Sequence, residues 1–230
     1  NGLDGLHELT KKHNSGDITV AEYQELVKVE LKKVEEDKVA YESFNKLVLK
    51  EMNESLPKRF KKETGEIFFT RGFKYQRGKG IEINYSLAVK WYKLAAEVGH
   101  VYAQFFLGNM LLGGKYKHKD IKDGFKWLRL SAEQGSDMAQ YVVGIAYIKL
   151  SDNYETGVVW LEKAAEQNNS NAQYRLGKIY HNGVGVTKDL IKAHKWLNIA
   201  GNNCQHDAQN SRDNLEKEMT PSQIEKAQEM

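Results

Sequence analysis

The chain has 230 residues, a hydrophobic fraction of 40% and a formal net charge of +3, which is enough apolar material for a substantial core. No apolar run approaches the roughly 18 residues of a membrane-spanning helix, and the lone Cys204 excludes an internal disulfide. The first residues, NGLDGLHELTKKHNSGDI, lack the basic start and apolar centre of a signal peptide, which favours a cytoplasmic location while leaving a periplasmic or secreted one open if a leader has been removed.

Residues 1–64 carry 12 basic and 13 acidic side chains. From Asp17 to Leu56 this segment has neither glycine nor proline. Tyr23, Leu26, Val27, Val34, Tyr41, Phe44, Val48 and Met52 approximate a helical stripe, and the heptad spacing breaks around Asp37 and Lys38. The pattern predicts an N-terminal extension of one or two long amphipathic helices rather than a sustained coiled coil. Such helices either pack back on the remainder of the chain, where they could fill a concave groove, or supply a homodimer contact. Within the extension, LHELTKKHNSGDITVAEYQEL resembles the helical hairpin known as the short C-terminal domain, with Thr19 as N-cap and Glu22 three residues on.

Beyond residue 64 the chain repeats. Trp91, Trp127, Trp160 and Trp196 are separated by 36, 33 and 36 residues, an interval that marks a repeat architecture. Twelve residues after each tryptophan stands Ala103, Ala139, Ala172 or Ala208. Gly108, Gly144 and Gly177 follow five residues after the first three alanines, and Gly72 matches them at the start. The position three before each tryptophan is small: Ala88, Gly124, Gly157 or Ala193. Four residues after each tryptophan stands Ala95, Ser131, Ala164 or Ala200, and spacings of three and four place one large ring beside small residues on a shared helical stripe. They predict a helix pair in which small residues on helix A let its partner, helix B, approach closely and the tryptophan fill the groove.

The linkers have their own pattern. Gly78 and Gly80 match Gly183 and Gly185, with Gly113 and Gly114 in the second unit, and such glycines end helix A and turn the chain. Seven residues before each tryptophan comes Asn84, Asp120, Asn153 or Asp189, suited to capping helix B. The third unit loses three residues between Tyr147 and Asn153, a deletion expected to fall in a loop. A single helix pair cannot bury its apolar faces alone, so the units at about 67–102, 103–138, 139–171 and 172–207 must stack as an all-α, α/α solenoid. The motifs AQYRLGKIYHNGVGVTKDLIKAHKWLNIA and RGFKYQRGKGIEINYSLAVKWYKLAAEVGH resemble the Sel-one-like repeat, a relative of the tetratricopeptide repeat. The resemblance implies a protein-binding adaptor whose concave face is lined by the first helix of each pair, as in bacterial scaffolds and protein-degradation complexes.

Residues 208–230 read as a terminal cap to the repeat region 65–207. After Ala208 the pattern decays, with Asp213 in the glycine position and no further tryptophan. The sequence TPSQ then offers Thr220 as N-cap, Pro221 at the first helical position and Gln223 to complete a capping box. A short helix through Ala227 would cover the last groove.

Little in the sequence points to chemistry. Seven histidines form neither an HExxH motif nor a close Cys/His cluster, so no metal is expected. His181 is placed in an interhelical loop and His194 beside the small-residue stripe. Gly78-Lys79-Gly80 lacks the Lys-Ser/Thr ending of a phosphate loop, and Glu97, Glu133 and Glu166 recur as the solvated end of helix B. No catalytic residue and no cofactor is expected, and the tryptophans and Tyr75, Tyr147 and Tyr180 are assigned to the repeat core. The informative asymmetry is charge: residues 71–126 hold 11 Lys or Arg against 4 Asp or Glu, whereas residues 127–230 hold 11 against 13. Lys74, Arg77, Lys79, Lys115, Lys117, Lys119 and Lys122 form the candidate surface for an acidic protein or peptide partner. The expected function is a non-enzymatic adaptor or scaffold. The alternatives are a nucleic-acid-associated protein using the 71–126 surface, for which no compact recognition motif exists, and a regulatory subunit of an enzyme complex.

Overall fold

The computed structural model describes Lys11, Lys12, Ser15, Glu22 and residues 58–113, 120–203 and 206–229. The amphipathic stripe from Tyr23 to Met52, nearly all of the hairpin-like stretch 6–26, the homodimer contact assigned to the N-terminal helices, Gly114, Lys115, Lys117, Lys119 and Cys204 lie outside the described residues.

Among the described residues from 58 onward, the regular elements are ten α-helices: α1 Lys58–Arg77, α2 Tyr85–Glu97, α3 Val101–Gly113, α4 Ile121–Glu133, α5 Asp137–Ser151, α6 Tyr154–Glu166, α7 Ser170–Asn182, α8 Leu190–Asn202, α9 His206–Glu216 and α10 Pro221–Gln228. The fold is all-α, as the repeat pattern requires. Two compact units divide it, residues 1–119 with α1 to α3 and residues 120–230 with α4 to α10. Helix α1 runs unbroken through residue 64.

The four predicted caps start the B helices. The side chains of Asn84, Asp120, Asn153 and Asp189 accept from the backbone N–H of Leu87, Asp123, Thr156 and Lys192 at 3.0, 2.9, 3.0 and 2.9 Å, satisfying donors that a helix start leaves unpaired. Gly183 ends α7 in the left-handed region at φ 66°, where a side chain would be strained. The turn from helix B to the next helix A is also left-handed: Gly99 and Gly135 have φ 89° and 94°, and Asn168 takes the same place at φ 65°.

Close approach of the helices obeys a rule the tryptophans conceal. A Cβ built on Gly72, Gly144 or Gly177 would lie 2.7 Å from Tyr92, 2.9 Å from Leu161 or 2.6 Å from Leu197. Each of these partners is the residue after a tryptophan. Tyr92, Leu128, Leu161 and Leu197 are all 0% exposed. The backbone of the small residue three before the tryptophan closes the same contact, with the Ala88, Gly157 and Ala193 carbonyls 3.2, 2.9 and 3.3 Å from those glycine positions. Trp91 and Trp127 are buried at 1% and 8% exposure, but Trp160 and Trp196 are only half-buried, with Lys163 and Lys195 lying over their rings at 4.6 and 5.4 Å. The assignment of every tryptophan to the core is thus corrected. The ring straddles the edge of the apolar face, where its size keeps contact with the core while cations cover its outer side. Tyr180 is buried at 7% exposure, while Tyr75 and Tyr147 are half-buried.

A second device ties successive pairs together. The glutamine after each helix A alanine is buried in three copies, and its side-chain amide donates to a carbonyl eight residues earlier: Gln104 to Ala96 at 3.1 Å, Gln140 to Ala132 at 3.2 Å and Gln173 to Ala165 at 2.9 Å. Gln140 and Gln173 then accept from the amides of Gln167 and Asn203 at 2.8 and 2.9 Å. One side chain therefore satisfies the end of one B helix and holds the cap of the next. The shortened third unit keeps this arrangement by replacing its loop: α5 extends to Ser151, Asp152 ends it in the left-handed region at φ 47°, and Asn153 caps α6 at once.

The C-terminal cap forms as its residues dictate. Thr220 and Gln223 exchange bonds of 2.9 and 3.3 Å in a capping box, and α10 packs against α8 with Ala227 4% exposed. Leu215 and Met219, at 0% and 9% exposure, close the core beneath. His181 lies in the last turn of α7 rather than in a loop, and its Nε2 meets Glu218 Oε1 at 2.9 Å. Lys188 reaches the same carboxylate at 3.3 Å, and the two bonds hold Glu218 below the usual carboxylate range.

His100 starts α3 in place of the usual oxygen-bearing cap. Its Nδ1 accepts from the Ala103 N–H at 3.1 Å, which puts the proton on Nε2, 3.3 Å from Glu66 Oε1. Phe69 stacks on the imidazole at 4.7 Å. Burial pushes the imidazole below the ordinary histidine value, against the opposing pull of Glu66. The unfolded chain therefore binds this proton more tightly than the fold does, so stability is complete above the unfolded value of about 6.5 and declines as the pH falls below it. Urea unfolding of the wild type should show stability falling as the pH is lowered through and below about 6.5. His100→Asn keeps a capping acceptor but cannot titrate, and should lose less over the same range. Equal slopes for the two proteins would remove His100 as the cause.

Candidate partner-binding surfaces

Lys74 and Arg77 occupy the last turn of α1, where cations complement the helix dipole, and Lys79 follows in the loop. The Arg77 guanidinium lies 5.5 Å and the Lys79 ammonium 6.0 Å from the centroid of Phe73. Two predicted site residues therefore converge on one ring. That ring continues into an aromatic floor built by α1, α2 and α3. Phe69 lies 6.2 Å from Phe73, 5.7 Å from Tyr92, 6.2 Å from Tyr102 and 5.7 Å from Phe106, and Phe106 stacks on Tyr92 at 5.6 Å. Tyr92 anchors the floor from below: its hydroxyl donates to Gln76 at 2.7 Å, and burial pushes its phenol well above the ordinary value. Tyr102, 52% exposed, presents the floor to solvent.

Lys74 instead lines a groove of about 460 Å³ with Glu66, Ile67, Thr70, Arg71, Tyr75 and Ile81. Arg71 also covers Trp91 at 5.2 Å. Lys122 belongs to the other unit, in the first turn of α4, where it lines a hollow with Asp120, Asp123, Phe125, Lys126 and Arg129. The carboxylates there are engaged: Asp120 accepts from the Asp123 N–H at 2.9 Å and Asp123 from the Trp127 indole at 3.2 Å, while Arg129 pairs with Glu133 outside the hollow at 3.3 Å. Of the seven cations named from sequence, the structure brings Arg77 and Lys79 together, and Lys115, Lys117 and Lys119 lie outside the described residues.

A second groove, of about 210 Å³, was not anticipated. Helices α5 and α7 frame it with Ile145, Ile148 and Ile179, the loop after α7 adds Val184, and Lys149, Arg175 and Lys178 stand around this apolar floor. Tyr154 and Asn182 complete the lining. Gly185 permits the wall, because a Cβ there would run into the Tyr154 ring. A sequence signal existed in AQYRLGKIYHN, where Arg175 and Lys178 stand three apart and share a helical face.

Among the described residues no group of three His, Cys, Asp or Glu side chains gathers to hold a metal ion, and no helix is long and apolar enough to cross a membrane. His194, 1% exposed, meets Glu216 through Nε2 at 2.7 Å, a contact that fastens α9 to α8. Glu97 is half-buried, whereas Glu133 and Glu166 are exposed.

Comparison with known proteins gives the family. The Sel1 repeat model matches four times, at residues 72–100, 101–136, 138–169 and 170–203. No curated protein matches the chain. A solved Sel1 repeat protein from Oxalobacter formigenes is 27% identical with a TM-score of 0.61, over 73% of this chain and 72% of that one. A protective antigen present in uropathogenic Escherichia coli strains, which displays an SLR fold, is 24% identical with a TM-score of 0.64. That likeness covers 99% of this chain and 52% of the antigen, so the chain spans about half the antigen's length. With four repeat matches over more than half of its length and the helical-repeat fold shared with these structures, the chain belongs to the Sel1 repeat family.

Proposed function

We propose that the chain is a non-enzymatic adaptor that holds an acidic protein partner on the surface formed by Arg77, Lys79 and the aromatic floor. Sel1 repeat proteins generally mediate protein–protein interactions, and the family is typically a non-catalytic scaffold. The observation that carries the reading is the convergence of Arg77 and Lys79 on Phe73, at the end of a floor that reaches the exposed Tyr102. Aromatic and arginine side chains held on packed helices are the residue types that dominate binding energy at protein interfaces, because they offer large contact area with little further loss of freedom. Lys74 shares the last turn of α1 with Arg77 and extends the proposed contact.

The test is capture from source-cell lysate by the full chain and by Arg77→Glu/Lys79→Glu, with nuclease treatment and at low and high salt. A nuclease-resistant protein should be recovered by the wild type and reduced about tenfold or more by the double reversal, since like charges then face the partner. Recovery of nucleic acid alone, abolished by nuclease, would overturn the adaptor reading. So would a protein captured equally by both forms, as far as this surface is concerned.

A further inference from the structure

The groove between α5 and α7 combines features that the fold itself leaves unused. Its floor is aliphatic, from Ile145, Ile148, Ile179 and Val184, and Val184 is 43% exposed. Its three cations, Lys149, Arg175 and Lys178, are not paired with any carboxylate of the described residues. Elsewhere in the same unit Arg129, Lys188 and Arg212 are paired with Glu133, Glu218 and Asp213. The nearest acids in sequence, Asp152 and Glu155, are exposed and do not line the groove. Three like charges around an apolar surface repel one another without return inside the fold, and favour an occupant that brings the opposite charge.

The size narrows the class of occupant. About 210 Å³ is below the range of roughly 300–1,000 Å³ typical of small-molecule sites. An open groove of that size between two helices takes side chains from a chain segment that continues past both ends. From this geometry we infer that the groove is a second docking site, which takes a peptide segment of a partner protein carrying glutamate or aspartate beside aliphatic side chains. The aliphatic side chains cover Ile145, Ile148, Ile179 and Val184, and the carboxylates meet Lys149, Arg175 and Lys178. The site deepens the adaptor reading but shares no residue with the Arg77 and Lys79 surface, so each can fail without the other.

The experiment is fluorescence anisotropy on the full chain with a labelled synthetic peptide in which leucines alternate with glutamates. Matched peptides carry lysine for glutamate or serine for leucine. Circular dichroism establishes that each variant is folded. The glutamate–leucine peptide should bind better than both matched peptides, with affinity reduced about tenfold or more by Arg175→Glu/Lys178→Glu and weakened by Val184→Asp. Arg77→Glu/Lys79→Glu should leave it unchanged. The inference is overturned by no binding of the glutamate–leucine peptide, by equal binding of the lysine peptide, or by full affinity in Arg175→Glu/Lys178→Glu. Loss of binding in Arg77→Glu/Lys79→Glu alone would overturn it too, placing the peptide on the first surface. A single-stranded oligonucleotide that binds where the peptide does not, and is released by the same reversal, would replace the peptide class altogether.

Discussion

Leu197→Ala should lower the unfolding free energy by about 2–5 kcal/mol, through lost burial and the cavity left behind. Leu197 is 0% exposed and sits against Gly177, where an added Cβ would lie 2.6 Å from its Cγ. The helices meet here with no slack, so the surroundings can collapse only in part. Gly177→Ala acts from the other side. The alanine gains up to about 1 kcal/mol of helix propensity but overpacks a contact that also includes the Ala193 carbonyl at 3.3 Å. Overpacking typically costs about 1–3 kcal/mol, so the single change should destabilise. Combining the two changes lets the new methyl occupy space vacated by leucine, and the double variant should be more stable than the sum of the singles by about 0.5–3 kcal/mol. Urea unfolding followed by circular dichroism measures all four proteins. Strict additivity would show that Gly177 and Leu197 do not share one contact.

That contact shows what was legible in the sequence and what was not. Trp160 and Trp196 announced the repeat because tryptophan is rare and large, yet the deepest positions are Leu161 and Leu197 beside them. On a helix, adjacent residues lie about 100° apart and a broad apolar stripe admits both, so spacing alone cannot say which one faces the partner helix. The caps Asn84, Asp120, Asn153 and Asp189 and the box at Thr220 and Gln223 were legible because their chemistry acts within three residues of chain. The shortened third unit was legible as a deletion, but not the extension of α5 to Ser151. The charged groove was hidden for another reason. Counting charge along the chain singles out residues 71–126, whereas Lys149, Arg175 and Lys178 come to one groove from α5 and α7, in a segment whose linear charge is balanced.

The glutamine ties were the least visible feature, because a glutamine in a helix ordinarily reads as surface. Ala-Gln stands at the helix A repeat position four times, at 103–104, 139–140, 172–173 and 208–209, and position in the fold decides which copies matter. Gln173 is 1% exposed, donates to the Ala165 carbonyl at 2.9 Å and accepts from Asn203 at 2.9 Å. Gln209, after the last complete pair, is exposed. Gln173→Leu preserves most of the volume but removes one of the two bonds to the Ala165 carbonyl, which keeps the Asn168 N–H at 3.0 Å, and takes the acceptor from Asn203, so it should cost about 0.5–1.5 kcal/mol. Gln209→Leu should stay within about 0.5 kcal/mol of the wild type. Asn203→Ala should cost only part of what Gln173→Leu costs, since Asn203 is exposed and water can replace its partner. The same measurement in urea ranks the three. Equal effects of Gln173→Leu and Gln209→Leu would mean that packing alone sets the register of successive pairs. The expected order means that a buried polar tie helps to set it, together with the bond from Asn169 to Asp137 at 2.9 Å that joins the starts of α7 and α5. Those two helices frame the charged groove, so the spacing of the proposed docking site rests on side chains that do not line it.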